Sequence, residues 1–178
     1  MLLTNPSLGE NFACCQIFVG QKSYYSKTIS MTTESSGCDA LGTFIAEVGA
    51  TFHIMSDYSK LETSKAWKSI LRKYSICSST KVPYHWHQMR YERYIQELKK
   101  ITTRLMDHKN TPDYLWYEAL QYASTIHNHT SKLMHKTPIE KVFGTTPDIS
   151  ALLQCSFMDS SFIMKQHSPI KANYLEDS

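Results

Sequence analysis

The sequence lacks any apolar run as long as roughly 18 residues, the length at which a segment can span a bilayer. Its first residues, MLLTNPSLGENF, have neither a basic segment nor a long apolar stretch. We therefore predict no membrane-spanning helix and no signal peptide. The chain of 178 residues, 42% of them hydrophobic, is expected to form one folded domain with a sizeable core.

Cysteine is scarce and unpatterned. The five cysteines are odd in number and form no C-x-x-C pair. We therefore expect reduced, mostly buried thiols in an intracellular protein. In that setting the N-x-T sequon at Asn128 has no predicted role in glycosylation.

Positive charge is concentrated in one part of the chain. The formal net charge is only +3, but residues 60–109 hold twelve Lys or Arg against four Asp or Glu, which leaves +8 there and −5 elsewhere. A basic surface beside neutral or acidic surroundings is typical of a protein that binds a polyanion. The alternative is a well-solvated helical face.

The first half of the chain is predicted to alternate strands and helices. Two short β-branched and aromatic runs in residues 14–31 predict an antiparallel hairpin. A helix ending at Gly49 follows, and then a strand, FHIMSD, that ends on Asp57. Next come an amphipathic helix in ETSKAWKSILRKY and a short strand near SICSS. The apolar face of that helix is expected to contain Trp67, Ile70, Leu71 and Tyr74.

The second half is predicted to be helical. Residues 89–107 place apolar side chains on one stripe and Lys and Arg opposite. Thr111 and Thr137, each followed by proline, predict two helix starts with capping hydroxyls, and the second of these helices closes on Gly144. The aromatic residues Tyr114, Trp116, Tyr117 and Tyr122 are expected to lie in the core.

The order of elements predicts an α/β fold in which helices flank a mixed sheet. We place this domain in residues 1–144. Residues 145–178 are predicted to be an extension beyond the domain that ends in a disordered tail.

Two acidic residues occupy positions typical of a metal site. Asp57 is placed at a strand end, and Glu92 follows 35 positions later near the start of a long helix. Such positions gather reactive groups in α/β folds. Ions such as Mg²⁺ take carboxylate oxygens and complete their shell with substrate phosphates, and a two-ion site usually needs three acids. The alternative is an Asp that caps a turn and a Glu that stabilises the helix dipole.

Several motifs together resemble the integrase catalytic core of copia-type retrotransposon polyproteins, over residues 12–157. They are the Asp at the strand end, a Val-Pro-Tyr loop, Gln-x-x-x-Glu-Arg from Gln88 to Arg93, Trp-Tyr-Glu-Ala, and Thr-Pro-x-Glu. The resemblance implies an RNase H-like fold whose Asp, Asp, Glu triad binds two Mg²⁺ or Mn²⁺ ions. It implies 3′-end processing and strand transfer of DNA. Asp57 matches the second Asp, and Glu92 matches the Glu.

The resemblance and the basic pattern together imply DNA as the partner. Lys99 and Lys100 lie where the long helix of the family contacts DNA. The predicted DNA-binding residues are Lys60, Lys65, Lys68, His85, Gln88, Arg90, Arg93, Lys99 and Lys100. Four aromatic residues beside the basic run are candidates for stacking on bases: Tyr84, Trp86, Tyr91 and Tyr94. Zinc sites at His85 and His87 or at His127 and His129 are weaker alternatives, because zinc needs more ligands.

The sequence departs from the family at its first Asp, which is expected just upstream of LLTNPSLGEN. No acid precedes Glu10, Met89 replaces a preferred Asn, and Trp86 replaces a usual loop Pro. The zinc-binding region that precedes the core in the family is also absent. We therefore expect a truncated first strand and a catalytically defective core, because two carboxylates hold two ions poorly.

The expected residual function is nonspecific DNA binding, with nuclear localisation if the protein is functional. One alternative is a surviving Mg²⁺-dependent strand transferase in which an acid such as Glu10 substitutes. Another is a non-catalytic remnant of a decayed element. Self-association is expected by analogy, and neither a membrane nor a small-molecule substrate is expected.

Overall fold

A computed structural model of the chain describes residues 12–56, 64–80, 88–130, 136–150 and 152. Its strands are β1 (Cys14–Val19), β2 (Ser26–Met31), β3 (His53–Ser56) and β4 (Cys77–Thr80). Its helices are α1 (Gly37–Val48), α2 (Lys65–Lys73), α3 (Gln88–His108), α4 (Trp116–His129) and α5 (Pro138–Phe143). The predicted order of strands and helices is confirmed.

The chain divides into two units, Met1–Pro147 and Asp148–Ser178, and all of the strands and helices named above belong to the first. The domain boundary predicted at residue 144 stays a sequence prediction. In the second unit, the backbone N–H of Ser150 donates to Asp148 Oδ1 at 2.9 Å.

Strands β1 and β2 form the predicted antiparallel hairpin, in register from Cys14 opposite Met31 to Val19 opposite Ser26. β2 begins at Ser26, although the aromatic composition suggests an earlier start. The backbone of Tyr24 is left-handed, with φ of 60°, so the strand pairing does not extend back to it.

The strands form two separate ladders within the described part of the chain. β1 pairs with β2, while β3 pairs in parallel with β4, from His53 beside Cys77 to Ser56 beside Thr80. One ladder is antiparallel and the other is parallel, and within the described residues no strand joins them into one sheet. The carboxyl ends of β3 and β4 lie at the same edge.

β1 separates two apolar cores, because successive strand residues point to opposite faces. Cys14 belongs to the first core and Cys15 to the second. In the first core, Phe18 stacks on Phe44 of α1 with ring centroids 4.3 Å apart. The buried apolar side chains of α1 and α2 in this core are Ala40, Leu41, Phe44, Ile45, Trp67 and Leu71. Tyr74 is instead 42% exposed, since α2 ends at Lys73, so its predicted place on the apolar face is wrong.

The second core lies between the β1–β2 hairpin and helices α3 and α4. Leu98 of α3 and Leu120 of α4 are completely buried there. Trp116, Tyr117 and Tyr122 are buried as predicted. Tyr114 is 39% exposed, because it lies in a single 3₁₀ turn before α4 begins.

The two predicted threonine caps have different outcomes. Thr137 Oγ1 accepts the backbone N–H of Glu140 at 3.2 Å, and α5 closes at Gly144 with φ of 75°, as predicted. Thr111 caps nothing: the helical turn begins at Asp113, and the Thr111 hydroxyl is buried without a hydrogen-bond partner. The predicted cap at Thr111 is therefore wrong.

Candidate metal site and nucleic-acid interface

The two predicted metal ligands adjoin a strand end and a helix start. β3 ends at Ser56, immediately before Asp57, and α3 begins at Gln88. Asp57, Lys60 and His85 lie outside the described residues, so the pairing of Asp57 with Glu92 stays a prediction.

Glu92 is an exposed residue in the second turn of α3. No acid occupies the first turn. The favourable effect of the helix dipole on an acid declines within that turn. The structure therefore gives little support to the alternative in which Glu92 serves mainly to stabilise the helix dipole.

The outer face of α3 carries the predicted cations. Arg93 and Lys100 are exposed, and Lys99 is half-buried. Their seven-residue spacing places Arg93 and Lys100 on one side of the helix, and Arg104, exposed four residues further on, extends the row. The backbones of Gln88 and Arg90 belong to the first turn of α3, but their side chains lie outside the described part.

The inner face of the same helix fixes its orientation. Tyr94, Leu98 and Thr102 are buried. These residues recur at four-residue intervals, so the cations opposite them are held toward solvent. α3 thus presents Arg93, Lys100 and Arg104 to solvent on one side, with the acid Glu97 between the first two.

Tyr94 is not available for stacking on bases, and that prediction is wrong. Its side chain is only 5% exposed, and its hydroxyl donates to Ser26 Oγ at 2.8 Å. Its ring contacts the edge of the His127 ring, with centroids 4.6 Å apart. Burial raises the pKa of the Tyr94 phenol to about 12. Tyr91 is half-buried, and Tyr84 and Trp86 lie outside the described residues.

Helix α2 is the second cationic surface. The predicted DNA-binding residues Lys65 and Lys68 are exposed. Arg72 and Lys73 are exposed as well, although they are not among the DNA-binding residues predicted from the sequence. The nine residues of α2 include four cations and no acid. Within the described part of the chain, none of these four cations forms an ion pair. The helical spacing of Lys65, Lys68 and Arg72 was the signal that could have identified Arg72.

Within the described residues, no three His, Cys, Asp or Glu side chains come together to hold a metal ion. Glu92 has the hard oxygen donors that suit Mg²⁺. The zinc alternative at His127 and His129 gains no support, because His127 packs on Tyr94 and His129 Nδ1 donates to the Thr125 carbonyl at 2.7 Å. Across the same residues, no helix combines the length and apolar character needed to cross a membrane.

The two ladders and their flanking helices form a mixed α/β domain. No family model matches the sequence, and no curated protein matches it. A chain of the cryo-EM structure of the simian T-cell lymphotropic virus intasome in complex with PP2A regulatory subunit B56 gamma matches with a TM-score of 0.60 and 24% identity. That match covers 74% of this chain and 50% of the other.

The crystal structure of the catalytic core domain of BIV integrase gives the same fold. It matches with a TM-score of 0.60 and 19% identity, over 72% of this chain and 84% of that domain. The chain therefore has the fold of an integrase catalytic core, as the sequence predicts. At these identities the likeness establishes the fold and does not establish an activity.

Proposed function

We propose that the chain is a copia-related integrase core that binds the DNA backbone through α2 and the outer face of α3 and is defective in strand transfer. The observation that carries the proposal is the surface of α2. Its four exposed cations have no acid among them, while Trp67 and Leu71 anchor the other side of the helix in the core. Folding thus holds this positive charge in place.

The two helices are suited to phosphate contacts rather than to reading bases. On α3, Arg93 and Arg104 are eleven residues apart, which is about 16 Å along the axis at 1.5 Å per residue. Lysine and arginine side chains at such spacing neutralise phosphates and release counterions, without regard to sequence. We therefore infer binding that is nonspecific and strongly dependent on salt.

Asp57 and Glu92 are the residues that would hold Mg²⁺ or Mn²⁺ in this function. A bound ion supplies charge stabilisation at the phosphate and lowers the pKa of an attacking hydroxyl. Asp57 and Glu92 match two of the three acids that the resemblance implies. Two carboxylates hold two ions poorly, so we propose that these 178 residues retain DNA binding and are defective in strand transfer.

Two further proposals, on localisation and on self-association, accompany this function. Integration acts on chromosomal DNA, so a functional protein would be nuclear. The first structural neighbour belongs to an intasome, and by analogy with that assembly we propose self-association of this chain.

The binding proposal is tested by titrating a double-stranded oligonucleotide of arbitrary sequence with the full chain at several salt concentrations. The test variant is the triple change Lys65→Gln, Lys68→Gln and Arg72→Gln. The matched control removes the same charge elsewhere, at the exposed residues Lys22, Lys136 and Lys141. If all three α2 cations contact phosphates, the test variant lowers the slope of log affinity against log salt by roughly two to three, and the control changes it little.

Two outcomes would overturn this proposal. Equal losses in the test variant and the control would mean that only net charge matters. Absent or salt-independent binding by the wild-type chain would favour the reading of a non-catalytic remnant that does not bind nucleic acid.

The catalytic part of the proposal is tested separately. Strand transfer by the full chain is measured in Mg²⁺ and in Mn²⁺, with Asp57→Asn as the control. We expect no activity above that control. Activity that appears in the wild type and disappears in Asp57→Asn would show instead that the enzyme is intact.

A further inference from the structure

One face of the β3–β4 ladder carries three metal-binding side chains. Ile54 packs against the first core, so its neighbours His53 and Met55 point to the opposite, solvent face. Cys77 is the direct partner of His53 in the parallel register, and its side chain is exposed as well. Met55 is 41% exposed on the same face, one pleat further along.

The spacing of the two strands brings these side chains within reach of one ion. Adjacent strands lie about 4.8 Å apart, and a two-residue step along a strand covers about 6.6 Å. The Cα atoms of His53 and Cys77 are partners across the ladder, so the two side chains leave the backbone beside each other on the same face. The flexible thioether of Met55 can cover the longer distance, because it has three rotatable bonds.

The exposure of Cys77 is itself unusual. Cysteine is among the most buried residue types, and of the four described free cysteines Cys14 and Cys15 are buried while Cys38 is half-buried. Cys77 instead faces solvent beside a histidine and a methionine. A packing role does not explain this group of side chains.

The chemistry of the three donors selects the ion. Structural zinc sites take four Cys, His or carboxylate ligands, and the described residues nowhere gather three of these. A thiolate and a thioether are soft ligands, which select Cu(I), and imidazole also suits copper. The set therefore matches a cuprous ion better than zinc or magnesium.

We propose that His53, Met55 and Cys77 form a surface site for Cu(I). The Cys77 thiol gives up its proton to solvent and its sulfur forms a bond to copper, while the thioether and the imidazole each donate a lone pair to the same ion. Copper enters and stays as Cu(I), so the step needs neither oxidant nor reductant. The site does not depend on DNA binding or on Asp57 and Glu92.

The proposal is tested with the full chain, reduced and free of oxygen, in competition with a chromophoric chelator specific for Cu(I). We expect the protein to remove one equivalent of Cu(I) from the chelator. Removing a residue that only hydrogen-bonds to a metal ligand lowers metal affinity about 10- to 100-fold. Cys77→Ser removes a ligand itself, so we expect it to lower the affinity for Cu(I) by more than that. His53→Gln and Met55→Leu should each weaken binding less than Cys77→Ser does.

Cys38→Ser is the matched control, because it removes a described thiol on α1 that has no such neighbours in the ladder. It should leave Cu(I) affinity unchanged, and thermal unfolding checks that every variant is folded. X-ray absorption of the loaded chain should show two sulfur donors and one nitrogen donor. No copper removed from the chelator, or wild-type affinity in Cys77→Ser, would overturn the site.

Discussion

The side-chain amide of Asn128 pairs with the backbone of Ser26 as a neighbouring strand would. Asn128 Oδ1 accepts the Ser26 N–H at 2.9 Å, and Asn128 Nδ2 donates to the Ser26 carbonyl at 2.7 Å. Ser26 begins β2, and Asn128 lies in the last turn of α4. The pair therefore fixes the end of α4 against the start of the strand, and it also occupies the amide of the only N-x-T sequon.

A second side chain of α4 continues this pairing along the outer edge of β2. The Tyr117 hydroxyl accepts the Ser30 N–H at 3.1 Å and donates to the Thr28 carbonyl at 3.3 Å. Open strand edges are sites of unwanted pairing with other chains. α4 thus satisfies backbone groups at the β2 edge with side chains, and the helix positions its neighbour α3 through the core that the two helices share.

We expect Asn128→Ala to lower the free energy of unfolding by about 2–4 kcal/mol. It leaves the buried Ser26 N–H without its partner and removes one of the two bonds to the Ser26 carbonyl, and each unsatisfied buried group costs about 1–3 kcal/mol. Urea unfolding followed by circular dichroism measures the change.

Gln96→Ala is the control for that measurement. It removes an amide of similar size from the exposed face of α3, where a substitution changes stability by at most about 0.5 kcal/mol. Equal losses in the two variants would show that the Asn128–Ser26 pair does not hold α4 in place.

Titration of the buried Tyr94 phenol should make the free energy of unfolding depend on pH in the alkaline range. Burial raises its pKa from 10.0 to about 12 in the folded chain, because the charged form is poorly solvated there. A raised folded pKa contributes stability that is complete below pH 10 and is lost as the pH rises to about 12. We therefore expect the free energy of unfolding to fall across that range.

Tyr94→Phe should reduce this dependence on pH, because it removes the titrating group. Below pH 10 the same substitution should lower the free energy of unfolding by about 1 kcal/mol, because the hydrogen bond to Ser26 is lost. Tyr114→Phe is the control, because Tyr114 is exposed. Unfolding curves measured at a series of pH values compare the three chains. An unchanged slope in Tyr94→Phe would contradict the assignment to Tyr94.

The order of strands and helices could be predicted because it depends on local periodicity. The two-residue period of the hairpin and the stripe on α3 are both visible within a short window. The error at Tyr94 concerns a residue whose partner is distant along the chain. Tyr94 looks like a surface aromatic beside a basic run, but its hydroxyl bonds to Ser26, 68 positions away. No local pattern contains that contact.

In the candidate site, the cationic faces could be predicted from the sequence more directly than the pair of metal ligands. Charge counts along the chain and helical spacing were enough to place Lys65, Lys68, Arg93 and Lys100 on exposed faces. A strand end and a helix start indicated the association of Asp57 with Glu92 only weakly, and the family resemblance supplied most of the argument, since a separation of 35 positions does not by itself fix a distance. That part of the site stays a prediction, whereas the cationic faces are observed.

The Thr-Pro motifs at Thr111 and Thr137 should respond differently to mutation. Thr137→Ala removes the hydroxyl that accepts the Glu140 N–H, and the loss of such a cap costs about 1 kcal/mol. Thr111→Val removes a buried hydroxyl that has no hydrogen-bond partner and keeps the shape of the side chain, so we expect stability to stay equal or rise by up to about 1 kcal/mol. Thermal unfolding of both variants makes the comparison, and a clear loss in Thr111→Val would show that its hydroxyl is bonded after all.

The role of Glu92 can be separated from its charge by comparison with Glu97, an exposed acid later in α3. With metal chelated, Glu92→Gln and Glu97→Gln should both bind DNA at least as tightly as the wild type, because each removes a negative charge beside a basic row. In Mn²⁺, DNA binding by the wild type should tighten, because Glu92 would help to hold an ion that adds positive charge for a phosphate. Only Glu92→Gln should lose that gain, which filter binding with and without Mn²⁺ measures. An equal response of the two variants would mean that Glu92 acts as a surface charge and does not hold the metal.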